Sequence, residues 1–211
     1  MRHARDPNEL LEVLRNELGP GGGKTLGYWS DKNGQTAMND GETIVPELAL
    51  LSSLNLRDAS GNNFDPANYA SFRNWILSPT ATNMAYMLSA QLATMELNVG
   101  AGFVGGGALV YAGPSPGSSC LVPNAAGFTS VSALRSAADC QLAEDGDAPA
   151  GDPNRRCQEY LKTALENANN NKTFVQPGPG YCPFTYEERA DDSFSAGGDS
   201  LPRPFCFTGS Q

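Results

Sequence analysis

Apolar residues recur at helical spacing along five stretches of the chain. Leu10, Leu11, Leu14 and Leu18 form a stripe that stops at Gly19, which predicts a helix over 8–18. Tyr69, Phe72 and Ile76 repeat the pattern up to a stop at Pro79, and Val131, Leu134, Ala138 and Leu142 repeat it over 130–143. Cys157, Leu161, Ala164, Leu165 and Ala168 line one face of a further segment, ended by the polar run Asn169 to Lys172. The fifth stretch, TNMAYMLSAQLATMELN over 82–98, is apolar nearly all round, the pattern of a central helix covered by its neighbours. Its methionines read as adaptable core filling.

Three of the helices begin with an aspartate followed by proline, at Asp6-Pro7, Asp65-Pro66 and Asp152-Pro153. The aspartate accepts from free N–H groups of the first turn, and proline is tolerated at the first helical position. Glu9 completes a capping box with Asp6, and Ser130 is the cap expected for the 130–143 helix. Between the central helix and Ser130, AGFVGGGALVYAGPSPGSS predicts a short hairpin turning at Gly105 to Gly107, followed by a Pro/Gly/Ser loop. From Gln176 onward, QPGPGYCPF and LPRPFCF enclose an acidic Gly/Ser stretch without helical periodicity. The expected organisation is therefore an N-terminal helix and Gly-rich linker over 1–25, a helical module over 26–176, and an extended Cys/Pro/Gly-rich arm over 177–211. The fold class is mainly α: a compact helical domain with a central buried helix, a small β-hairpin and an irregular, disulfide-tied C-terminal arm.

Composition narrows the partners. A net charge of −9 on 211 residues argues against nucleic acid and anionic lipid surfaces. No apolar run reaches the roughly 18 to 20 residues that span a bilayer, and the start, MRHARDPNELL, lacks the apolar core of an intact signal peptide. Cys120, Cys140, Cys157, Cys182 and Cys206 show no C-x-x-C spacing, so two disulfides and an odd cysteine are expected, which implies an oxidising compartment. Cys182–Cys206 is the expected pair in the arm, with Cys120, Cys140 and Cys157 competing for the other. Helices starting at Ser130 and Pro153 bring Cys140 and Cys157 together as antiparallel neighbours.

Chemistry-bearing motifs are few. GGGKT, at Gly21 to Thr25, suggests a phosphate-binding loop, but the pattern requires a glycine where Leu18 stands. A linker that ends a helix accounts for the same glycines. The single histidine, His3, leaves no triad partner near any motif, and no catalytic residue is assigned. Asp31, Asp40, Glu42, Asp58 and Asp65 are the acids available to a carboxylate-only hydrolase. Calcium is the candidate cation, with Asp31, Asn33, Asp58, Asn62 and Asp65 as oxygen donors in two Asp/Asn/Gly loops. Asx-turns produce the same letters. Tyr28-Trp29 and Trp75 form either a sugar-stacking platform or part of the core, and Asn171-Lys172-Thr173 is a glycosylation sequon.

Four segments, GYWSDKNGQ, LNLRDASGNNFDP, ATNMAYMLSAQLATMELNV and CQEYLKTALENANNNKTFV, resemble in that order a module of large secreted bacterial surface proteins. The resemblance covers about 26–176 and implies an extracellular, structural or adhesive setting without an established reaction. The expected function is a non-enzymatic subunit of a surface assembly, partnered by itself or by other surface proteins, with no nucleic acid and no membrane insertion. A calcium-dependent carbohydrate-binding module and a carboxylate-only hydrolase are the alternatives.

Overall fold

The computed structural model describes residues 22–39, 43–117 and 120–175. The helix expected over 8–18, the arm over 177–211, Asp40, Glu42, Cys182 and Cys206 lie outside the described residues. The elements are α1 (Leu26–Trp29), α2 (Lys32–Asn39), α3 (Val45–Ser52), α4 (Tyr69–Ile76), α5 (Met84–Gly100), β1 (Leu109–Tyr111), β2 (Phe128–Ser130), α6 (Val131–Glu144) and α7 (Arg155–Asn169). This is the mainly helical domain with a small antiparallel strand pair that the pattern predicts.

Helix α5 is the centre. Thirteen of its seventeen residues are buried, and α6, α7, α3 and α1 pack around it. Its apolar positions Leu88, Leu92, Met95 and Leu97 lie inside as expected, and so do Ser89, Thr94, Glu96 and Asn98. The hydroxyls of Ser89 and Thr94 donate to carbonyls one turn back, Ala85 O at 2.7 Å and Ala90 O at 2.8 Å, so they enter the core already satisfied. The expected stripes of α4, α6 and α7 join the same core: Phe72 and Ile76, Val131 to Leu142, and Leu161 to Ala168.

The ends of the helices correct several expectations. Ser130 caps α6 as predicted, accepting from Ala133 N at 3.1 Å. Asp65 does not cap α4: Asn68 does, in a capping box with Ser71. Asp152 accepts from Asn154 N, and α7 begins at Arg155, two residues beyond Pro153. Thr25 caps a short helix, α1, where the glycine-rich reading expected no helix. Helices α2 and α3 were also not anticipated, since KNGQTAMN and VPELALLS are short and rich in turn formers or proline. Gly34 makes α2 feasible: a Cβ there would stand 2.2 Å from Tyr28 O, so only glycine lets α2 lie this close to α1.

The strand pair is present, but its second strand is β2, not a segment before Gly105. Leu109 pairs with Ser130, Val110 with Thr129 and Tyr111 with Phe128. The Pro/Gly/Ser loop thus lies inside the hairpin. A disulfide ties that loop to the first turn of α7, between Cys120 and Cys157 with Cα atoms 5.7 Å apart. This overturns the expected Cys140–Cys157 pairing. Cys140 is disulfide-bonded as well.

One side chain joins both ends of the domain to its centre. Asn98 is fully buried. Its Oδ1 accepts from Lys24 N at 2.7 Å and from the Trp29 indole at 3.2 Å. Its Nδ2 donates to Lys24 O at 2.9 Å and to Asn169 Oδ1 at 3.1 Å. Asn169 in turn donates to Gln91 O and Oε1, each at 3.0 Å. Gly23 approaches so closely that a Cβ would meet Asn98 Nδ2 at 3.1 Å. Within GGGKT, Gly23 and the Lys24 backbone therefore pack against the central helix.

Asn98→Asp keeps the shape and removes both donations, leaving a charge against two oxygen atoms. Urea denaturation is expected to show a loss on the order of 3 kcal/mol, and a loss under about 1 kcal/mol would count against this role. Replacing Cys120 and Cys157 together by alanine opens a loop spanning 37 positions. It is expected to lower stability by about 4 kcal/mol, with the cross-linked peptide visible in a non-reduced digest of the native protein.

Candidate functional site

The two Asp/Asn/Gly loops use their oxygens on their own backbones. Asp31 Oδ1 accepts from Asn33 N at 2.7 Å and Gly34 N at 3.1 Å, the pairing of a helix N-cap, and Asn33 belongs to the first turn of α2. Asp58 Oδ1 accepts from Ser60 N at 2.8 Å and Asn62 N at 3.0 Å, and its Oδ2 from Asn62 Nδ2 at 3.3 Å. Asp65 Oδ2 accepts from Asn63 Nδ2 at 3.2 Å. Asp31 and Asp58 thus form Asx-type turns on their own backbones, whereas Asp65 pairs with the Asn63 side chain. Among the described residues no three His, Cys, Asp or Glu side chains stand together as a metal site.

Both tryptophans are core residues with paired N–H groups. Trp29 is 1% exposed. Trp75 is 6% exposed, donates to Arg57 O at 3.0 Å and stacks on Phe64 with centroids 4.4 Å apart. Neither indole offers a face for sugar stacking. Tyr86 donates to Trp75 O at 2.5 Å, and burial pushes its phenol above the ordinary range. The hydroxyl of Tyr86 is a fixed donor at neutral pH.

Among the described residues one ion pair reaches the core, and no pattern in the sequence marks it. Glu96 of α5 is 4% exposed and accepts from Arg135 Nε of α6 at 2.7 Å, with a second parallel bond from the other arm of the guanidinium. A cavity of about 230 Å³ beside the pair is also lined by Ser132, Ser136 and Asp139. Asp139 accepts from Asn55 N at 2.8 Å and Asn55 Nδ2 at 3.1 Å. All four carboxylate oxygens around this cavity are therefore held by donors. The arrangement clamps α5 to α6 and to the 53–57 turn.

The strand pair carries an unusual surface. On its far side β1 meets residues 173–175: Val110 bridges Phe174, Tyr111 N donates to Thr173 O at 2.9 Å, and Val175 N donates to Leu109 O at 2.9 Å. Alternation along the strands then sorts the side chains. Val110, Thr129 and Phe174 face the core. Leu109, Tyr111, Phe128 and Val175 share the opposite face with the polar Ser130 and Thr173, and there Leu109 is 36%, Tyr111 47% and Val175 48% exposed. Tyr111 and Phe128 meet edge to face with centroids 5.4 Å apart. Leu109 and Tyr111 lie in the stretch read from the sequence as a hairpin, but their orientation depends on pairing with 128–130 and 173–175, far along the chain.

No protein-family model, no curated protein and no solved structure matches the chain. Among the described residues no helix is long and apolar enough to cross a membrane.

The Glu96–Arg135 pair makes a distinct prediction. Arg135→Leu leaves Glu96 buried without a counter-charge and is expected to cost about 3–5 kcal/mol. Glu96→Leu combined with Arg135→Leu is expected to recover most of that loss in the same denaturation assay.

Proposed function

We propose that the protein is a non-enzymatic structural subunit of an extracellular bacterial surface assembly, joining to copies of itself. The observation that carries this reading is the apolar face formed by Leu109, Tyr111, Phe128 and Val175. An exposed, contiguous apolar face favours a partner that covers it. The face ends at Val175, and 36 further residues follow, among them Tyr181, Phe184, Tyr186, Phe194, Phe205 and Phe207. Residues 177–211 of one copy are the proposed cover for the face of the next copy. Head-to-tail contacts of this kind propagate when the rotation does not close. The Cys120–Cys157 disulfide favours an oxidising, extracellular setting, and the four surface-module segments point the same way.

Light scattering of the full-length protein over a range of concentrations tests the assembly. The native chain is expected to exceed the monomer mass, and Leu109→Lys with Tyr111→Lys to reduce it to a monomer. A native chain that stays monomeric at the highest concentration, or a variant that associates as the native chain does, overturns the reading.

A further inference from the structure

Cys140 stands on α6, half-buried and outside the apolar stripe that joins the core. It is disulfide-bonded. The chain has five cysteines, and Cys120 and Cys157 are bonded to each other. A disulfide sulfur has one sulfur partner, so those two are closed to Cys140. Cys182 and Cys206 remain, and both belong to the arm over 177–211. The Cys182–Cys206 pairing that their common segment suggests would leave Cys140 without a partner, and so does not fit a bonded Cys140.

The path from the domain to the arm permits the bond. Val175 N donates to Leu109 O, and Leu109 pairs with Ser130, the N-cap of α6. Val175 and Ser130 therefore lie two strand spacings apart, about 10 Å. Cys140 is ten residues further along the helix, a rise of about 15 Å. Val175 is thus no more than about 25 Å from Cys140. Cys182 follows Val175 by seven residues, which span about 23 Å when extended, and the Cα atoms of a disulfide stand about 5.5 Å apart. Cys206 lies 24 residues beyond Cys182 and has ample reach.

We infer that the arm is fastened to α6 by a disulfide between Cys140 and one of the two arm cysteines. Its formation takes two electrons and two protons from the two thiols and passes them to a low-molecular-weight disulfide, which leaves as two thiols. The fastening makes the arm a strap that reduction opens, and it leaves a single further arm cysteine in each chain. The inference needs one chain only and does not rest on self-association. It bears on that reading all the same: a bond at Cys182 leaves residues 183–211 to reach a neighbouring copy, whereas a bond at Cys206 presents the arm as a closed loop.

Trypsin separates all five cysteines. Cys120 falls in residues 74–135, Cys140 in 136–155, Cys157 in 157–162, Cys182 in 173–189 and Cys206 in 190–211, since Arg203 precedes a proline. The full-length protein is unfolded without reductant, its free thiols are alkylated, and the monomer band of a non-reducing gel is digested. Mass spectrometry is expected to show residues 136–155 linked to 173–189 or to 190–211, beside the linked pair 74–135 and 157–162. Either arm link supports the fastening, and its identity names the cysteine that holds the arm. In the double variant Cys182→Ser with Cys206→Ser, Cys140 is expected to be alkylated without reduction while the Cys120–Cys157 link persists. A native 173–189 peptide linked to 190–211, a native Cys140 that is alkylated or linked to 157–162, or a Cys140 still protected in the double variant overturns the inference.

Discussion

The fold depends on a single amide. Asn98 stands near the end of the buried central helix, where an unpaired polar group is costly, and its four hydrogen bonds reach three separate parts of the domain. Through it the N-terminal segment at Lys24, the aromatic cluster at Trp29 and the last turn of α7 at Asn169 share one reference point. An apolar residue at this place would leave the backbone of Lys24, the Trp29 indole and Asn169 Oδ1 without these partners, so the network specifies geometry that apolar packing alone would leave degenerate.

The same device recurs where the chain is irregular. Arg57 donates from Nε and Nη2 to Leu142 O at 3.1 and 2.8 Å, closing the carbonyl end of α6. Arg155 donates to Ala148 O and Ala81 O, both at 2.9 Å, and so fastens two loops to the start of α7. Asn83 caps α5 and also accepts from Ala148 N at 3.2 Å. Long connections are thereby fastened to the helices by side chains reaching carbonyls or amides.

Legibility in the sequence followed the range of the interaction. The apolar stripes of α4, α5, α6 and α7 could be read because helical periodicity is local, and Ser130 was identifiable as a cap because capping reaches only three residues. Helices α1 and α2 escaped because they are short and depend on contacts such as the close approach at Gly34, and α3 because its Leu48 and Leu51 stripe is carried by only eight residues with a proline at the start. The partner of β1 and the pairing of Cys120 with Cys157 were out of reach, since both join segments separated by loops whose path no spacing rule fixes. Asp31 and Asp58 carried letters common to cation loops and Asx-turns, and only the observed N–H donors distinguish the two geometries. Glu96 and Asn98 gave no signal at all: an acid or amide within an apolar run looks like an exposed position until its partners are seen.

The closeness of the domain's two ends has a mechanical consequence. Asn171, at a positive φ of 58°, donates from Nδ2 to Gly23 O at 2.8 Å, so the entering and leaving chain are clasped within one hydrogen bond of each other. A pull between Gly23 and Asn171 therefore loads this bond and the Lys24 bonds to Asn98 side by side before it reaches the helices.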